Sequence, residues 1–176
     1  GTLGEANAIH ALIEAALILK HDSRIKFVLV GGGKEKSSVE RLIESYGLEN
    51  IVLLPPVAKT QVPDVLSRFD VCYIGLLDKP IFRFGVSPNK LFEYFYSGKP
   101  ICYAIDSGDY QPVIESSSGV VAAPESPSDI ARAIKELSLL SEEERSTMGD
   151  NGKRYVLDNH QYSHLAKLLE KTIFSV

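Results

Sequence analysis

The feature that most restricts the fold is an alternation repeated along the chain. Five short apolar runs, rich in β-branched and aromatic residues, fall at about 25–30, 51–54, 71–75, 101–105 and 120–123. Runs this short, with little polar alternation, suit strands buried on both faces of a parallel sheet. Helical patterns separate them. The first carries Ile9, Leu12, Ile13, Ala16 and Leu17 on one side, and others are expected near 37–46, 61–67 and 88–97. From Ser126 the chain reads as helix, at about 127–139, 142–159 and 160–174, with Ser141 and Glu144 spaced as a capping box. The implied fold class is α/β, a doubly wound, mostly parallel sheet followed by C-terminal helices.

Composition adds bounds. At 176 residues and 44% hydrophobic content, the chain is one domain with a substantial core. A net charge of −4 argues against nucleic acid as a partner, though not against a local positive patch for a small anion. No apolar run is long enough to span a bilayer, and the cytoplasm is the expected compartment. Cys72 and Cys102 lie inside apolar runs and are expected to be buried, reduced thiols. No cysteine or histidine spacing calls for a metal: His160 and His164 are four apart, but HQYSH lacks the glutamate and third ligand of a zinc site.

The stretch FGVSPNKLFEYFYSGKP, residues 84–100, carries the chemistry. Ser87 is expected at the N-cap of a helix, Pro88 at its first position and Gly98 at its left-handed end, with Pro100 preventing continuation. Asn89, Lys90, Glu93 and Ser97 can share one face, while Leu91, Phe92 and Phe95 pack on the other. Lys90 is the odd residue. In a first turn, free N–H groups already present positive potential, so a lysine there costs on the order of a few tenths of a kcal/mol. A bound anion reverses that cost, because N–H groups, helix dipole and ammonium then converge on one negative group. The competing reading is an ordinary Lys90–Glu93 surface pair.

Two glycine-rich turns are weaker signals. Gly1, Thr2, Leu3 and Gly4 precede the first helix, where a strand would normally stand, which suggests a fragment of a longer polypeptide. Glycines there allow close backbone approach to a phosphate, and a plain strand–helix turn explains them equally well. Gly31, Gly32 and Gly33 match no phosphate loop: Val28 and Lys36 stand where glycines are required. They read as a close-packed turn at the mouth of the sheet. Arg83 could approach a phosphate or an acceptor, or simply be solvated.

The run SPNKLFEY followed by SGKP resembles the donor-nucleotide motif of the retaining GT-B glycosyltransferases of group 1. It is most similar to the bacterial branch that transfers N-acetylamino sugars. The resemblance implies a Rossmann-like, C-terminal donor-binding domain over residues 1–176, with the N-terminal acceptor-binding domain absent. It implies that Lys90 contacts the donor diphosphate and Glu93 the ribose hydroxyls, as the catalytic pair. It implies that the turn from Gly1 to Gly4, backbone near Val57, and the segment Ser87, Pro88, Asn89 and Leu91 line the nucleotide. A nucleoside-diphosphate sugar, a UDP-sugar by expectation, is the substrate, with no tightly bound cofactor and no essential metal. The acceptor would be a polysaccharide or lipid-linked, and the longer protein would sit peripherally at the inner face of a membrane. Two departures stand out. Gly85 occupies the position of a glutamate that many members carry, and Thr2, Glu5 and Asn7 stand in a region where many place Arg and Lys. More of the charge compensation therefore falls to Lys90.

Three alternatives carry less. Half of a sugar-nucleotide epimerase would need acids and histidines the sequence does not place. A signalling receiver needs clustered acids after its first strand, which GTLGE does not supply. A non-catalytic nucleotide-binding domain would keep the anion site and lack the chemistry.

Overall fold

The computed structural model describes residues 1–174. Five strands form: β1 (Phe27–Val30), β2 (Ile51–Leu54), β3 (Cys72–Gly75), β4 (Ile101–Ala104) and β5 (Gly119–Val121). All pairings are parallel. Among the described residues they make two sheets, β1–β2 and β3–β4–β5, with Phe27 opposite Ile51 and Cys72 opposite Ile101. Helices fill the connections: α1 (Ile9–Ile18), α2 (Lys36–Ser45), α3 (Val62–Ser67), α4 (Asn89–Ser97) and α5 (Pro112–Glu115). Three more follow the last strand: α6 (Pro127–Leu139), α7 (Glu142–Asn159) and α8 (Tyr162–Phe174).

Strand β4 shows why the fold is doubly wound. Cys102 and Ala104 enter one core with α1, β1 and α6. Ile101 and Tyr103 enter a second core with Leu66, Ile74, Leu91, Phe95 and Val113. All four β4 residues are buried, as strand alternation between two covered faces requires. The first core is closed by α1 lying along α6, where Ala11, Ala15, Ala16, Ala131 and Ala133 let the backbones approach. Cys72 and Cys102 are free, buried thiols, each pushed up to about 12 by burial, as expected of small hydrophobes.

Most elements match the sequence reading, and three differ. Pro88 adopts extended backbone (φ −71°, ψ 124°) and itself stands at the N-cap of α4, so the helix starts at Asn89. Ser87 then lies one residue too early for its hydroxyl to reach the first-turn N–H groups, and it caps nothing. Strand β5 begins at Gly119 and ends at Val121, two residues short of the apolar run. The short helix α5 occupies a segment in which no element was anticipated.

The carboxyl ends of the strands share one edge, and the N-terminal turn is fastened there to both sheets. Leu3 N–H donates to the Gly32 carbonyl at 2.8 Å, and Leu77 N–H donates to the Ala6 carbonyl at 3.1 Å. The glycine turn after β1 makes the approach possible. Gly31 and Gly33 have φ of +155° and +148°, and a Cβ would lie 1.8 Å from the Gly1 oxygen or 2.4 Å from that of Leu3.

Helix α4 is held from behind by α7. A Cβ on Gly149 would come within 1.9 Å of the Gly98 carbonyl oxygen, and one on Gly152 within 2.9 Å of the Phe95 ring. In an unconstrained helix interior, Gly→Ala gains about 1 kcal/mol. Here overpacking against backbone, typically about 1–3 kcal/mol, opposes that gain and exceeds it. Gly149→Ala is therefore expected to lower the urea midpoint of unfolding; an unchanged or higher midpoint would contradict the α4–α7 contact.

Candidate functional site

The start of α4 is open. Pro88 offers no side-chain cap, and Leu91 N–H bonds the Pro88 carbonyl at 2.9 Å. No acid lies in the first turn, where helices ordinarily carry one. Lys90 reaches from that turn to the N-terminal segment, and its Nζ donates to Asn7 Oδ1 at 2.7 Å. Asn7 Nδ2 in turn donates to the Thr2 carbonyl at 3.2 Å. Gly1 adjoins the ammonium: a Cβ there would lie 4.0 Å from Nζ.

The electrostatics are those of an under-compensated cation. Burial pushes the Lys90 pKa below its ordinary 10.5, and the nearby Glu93 charge opposes the shift. Among the described residues, the ion pairs within 4.0 Å lie elsewhere, so Lys90 and Glu93 form no direct pair.

The structure therefore brings Gly1, Thr2 and Gly4 beside Lys90, with Glu93 exposed one turn further on. Ser87 and Asn89 are exposed immediately before and at the helix start. Val57 is exposed on the turn after β2, whose Pro56 would lie 3.8 Å from a Cβ on Gly32. Leu3 and Leu91 are different: both side chains are buried, and Leu91 has spent its N–H on Pro88. The Leu91 side chain belongs to the core, on the packing face of α4 with Phe95. Arg83 donates from Nε to Asp106 Oδ2 at 2.6 Å, tying the loop after β3 to the loop after β4. His160 sits against the Phe92 and Tyr155 rings.

Asn7 is the residue that sequence reasoning missed. It figured only as the lack of a basic side chain, and no local pattern marks an amide as the partner of a lysine 83 positions away. Two concavities lie off the Lys90–Glu93 face, the smaller of them bordering it at Gly4. One of about 420 Å³ is lined by Ser117, Leu140, Thr147 and Met148, and one of about 80 Å³ by Gly4, Ile9, Glu35 and Val39. Neither is lined by Lys90 or Glu93, which stand at the carboxyl edge, where open parallel sheets bind ligands.

Residues 1–155 match the family model described as glycosyl transferases group 1. The chain belongs to this family. No curated protein matches it. Solved structures show the same GT-B, Rossmann-like architecture. A TarM variant from S. aureus, crystallised with UDP among other ligands, superposes with a TM-score of 0.78 at 20% identity, covering 97% of this chain and 34% of that one. HepE from Anabaena, in complex with UDP-glucose, gives 0.79 at 18% identity over 100% and 47%. The C-terminal domain of the group 1 protein LpcC from Francisella tularensis gives 0.74 at 18%, covering 92% and 84%. The chain thus spans a third to a half of the first two structures and most of the isolated C-terminal domain.

One consequence of the Lys90 environment is measurable without any ligand. The unfolded chain holds the Lys90 proton more tightly than the folded one, so burying the ammonium costs stability at neutral pH. That cost is relieved as pH rises through the lowered pKa. Side-chain ¹³Cε NMR is expected to show Lys90 titrating below 10.5, and a value at or above 10.5 would remove the desolvated cation from the site.

Proposed function

We propose that residues 1–176 are the donor-binding domain of a retaining glycosyltransferase that takes its sugar from a UDP-sugar. The observation that carries the reading is the Lys90 ammonium, held 2.7 Å from a neutral amide at the uncapped start of α4. The family and the UDP complexes of similarly folded proteins support it. An N-acetylamino sugar as the transferred group, and a polysaccharide or lipid-linked acceptor at the inner face of a membrane, complete the proposal.

The roles follow from position. Lys90 and the free N–H groups at the start of α4 take the diphosphate, and Glu93, one turn on, accepts hydrogen bonds from ribose hydroxyls. Backbone of the Gly1–Gly4 turn lies beside the phosphates, and backbone near Val57 meets the base. As the glycosidic bond breaks, negative charge grows on the leaving diphosphate. Fixed dipoles and an ammonium already in place stabilise that charge without reorganising, and they do so more strongly once an opposing domain excludes water. The acceptor-binding domain belongs to another part of the polypeptide, so the chain alone binds donor and does not turn over. Sugar transfer by the purified chain without a second domain would refute that division of labour.

Binding separates the two roles. Glu93→Ala is expected to weaken UDP by about 1.5–3 kcal/mol, the range for hydrogen bonds to charged groups. Unchanged calorimetric affinity would take Glu93 off the ribose. Lys90→Gln is expected to weaken UDP far more than uridine, because only UDP carries the diphosphate. Equal losses for both ligands would contradict the phosphate assignment.

A further inference from the structure

Asn7 belongs to a turn whose shape is closely determined. It ends a short 3₁₀ segment, Glu5–Asn7, and its N–H bonds the Gly4 carbonyl at 3.0 Å. The next residue, Ala8, is buried in left-handed backbone at φ +45°, an uncommon conformation for a residue with a Cβ. Both ends of the Asn7 side chain are engaged, Oδ1 by Lys90 and Nδ2 by the Thr2 carbonyl. An ammonium can only donate, so the amide orientation is set by its partners.

The chemistry of the acceptor matters as much as its place. A carboxylate at this distance would fix the lysine and also cancel its charge. An amide oxygen fixes it and leaves the charge intact. One of the three ammonium donors is spent on Asn7, and two remain for an incoming ligand. The long lysine stem, which would otherwise lose rotamer freedom when a ligand arrives, is already ordered.

We propose that Asn7 is a positioning residue for donor binding: it holds the Lys90 ammonium across the N-terminal turn, without cancelling its charge, where the diphosphate of the nucleotide sugar binds. The inference rests on the donor reading above and assigns a residue which that reading does not need.

The test is a double-mutant cycle on the chain, titrated calorimetrically with UDP and with uridine, with circular dichroism to check folding. Asn7→Ala is expected to lower UDP affinity roughly fivefold to tenfold, less than the full worth of a charge-assisted hydrogen bond because the bond lost is to Lys90 and not to the ligand, and to leave uridine within about twofold. In a Lys90→Gln background the same change is expected to alter UDP affinity less than about twofold, because Asn7 acts through Lys90. Asn7→Asp keeps the shape and neutralises the cation. It is expected to cost UDP about tenfold or more and to raise the Lys90 titration seen by ¹³Cε NMR. Asn7→Ser replaces the alanine variant should that one not fold. Unchanged UDP affinity in the Asn7 variants overturns the inference, as does an equal loss in both Lys90 backgrounds or an equal loss for UDP and uridine. If UDP binds and Lys90→Gln abolishes it while the Asn7 variants bind normally, only this inference fails. If the wild-type chain does not bind UDP at all, the donor reading fails with it.

Discussion

A lysine ammonium lies in the first turn of α4, where the helix itself is electropositive, and a neutral amide from the far end of the chain holds it there. Neither the helix nor the turn would place charge this way for its own stability. The partner in the bond is Asn7, 83 positions away, so both segments must be fixed before the contact can exist. Helix α4 is fixed by Leu91 and Phe95 in the second core and by the close seat of Gly149 against Gly98. The N-terminal turn is fixed by the glycines after β1, which admit its backbone, and by the bond from Leu77. Packing far from the surface therefore determines a distance at the surface.

The scaffold and the site divide the physical labour. Strand β4, covered on both faces, gives the sheet a rigid centre, and the loops at its carboxyl edge carry the polar contacts. Arg83 with Asp106, and Glu125 accepting from Asp78 N–H at 2.7 Å, lace those loops to one another. Lys90 is left partly desolvated and, among the described residues, without a carboxylate at ion-pair distance. That is a poor arrangement for stability and a suitable one for meeting a doubly charged leaving group. An open face suffices for binding; catalysis in a dry environment requires a second surface closing over it.

Much of this architecture was legible in the sequence, for identifiable reasons. Short β-branched runs bounded by Gly or Pro marked all five strands, although only β4 is buried at every residue; β1 and β2 expose Val28, Val52 and Leu54. Ser126 and Ser141 marked the starts of α6 and α7, because their hydroxyls do accept first-turn N–H groups. Ser87 misled for the same reason: the pattern was right, and an extended Pro88 moved the helix by one residue. The division into two sheets, the helix α5 and the α4–α7 glycine contact were not legible, since each depends on what lies opposite in space. Lys90 was conspicuous because it breaks a local rule. Asn7 was not, because its meaning comes wholly from a tertiary partner.

The most direct measurement is a crystal structure of the chain with UDP bound. Diphosphate oxygens are expected about 2.7–2.9 Å from Lys90 Nζ, at the start of α4, with Asn7 still holding the amine and the ribose hydroxyls on Glu93. UDP bound in the concavity lined by Ser117, Leu140 and Met148, or at the sheet edge with Lys90 turned away from the phosphates, would contradict this placement.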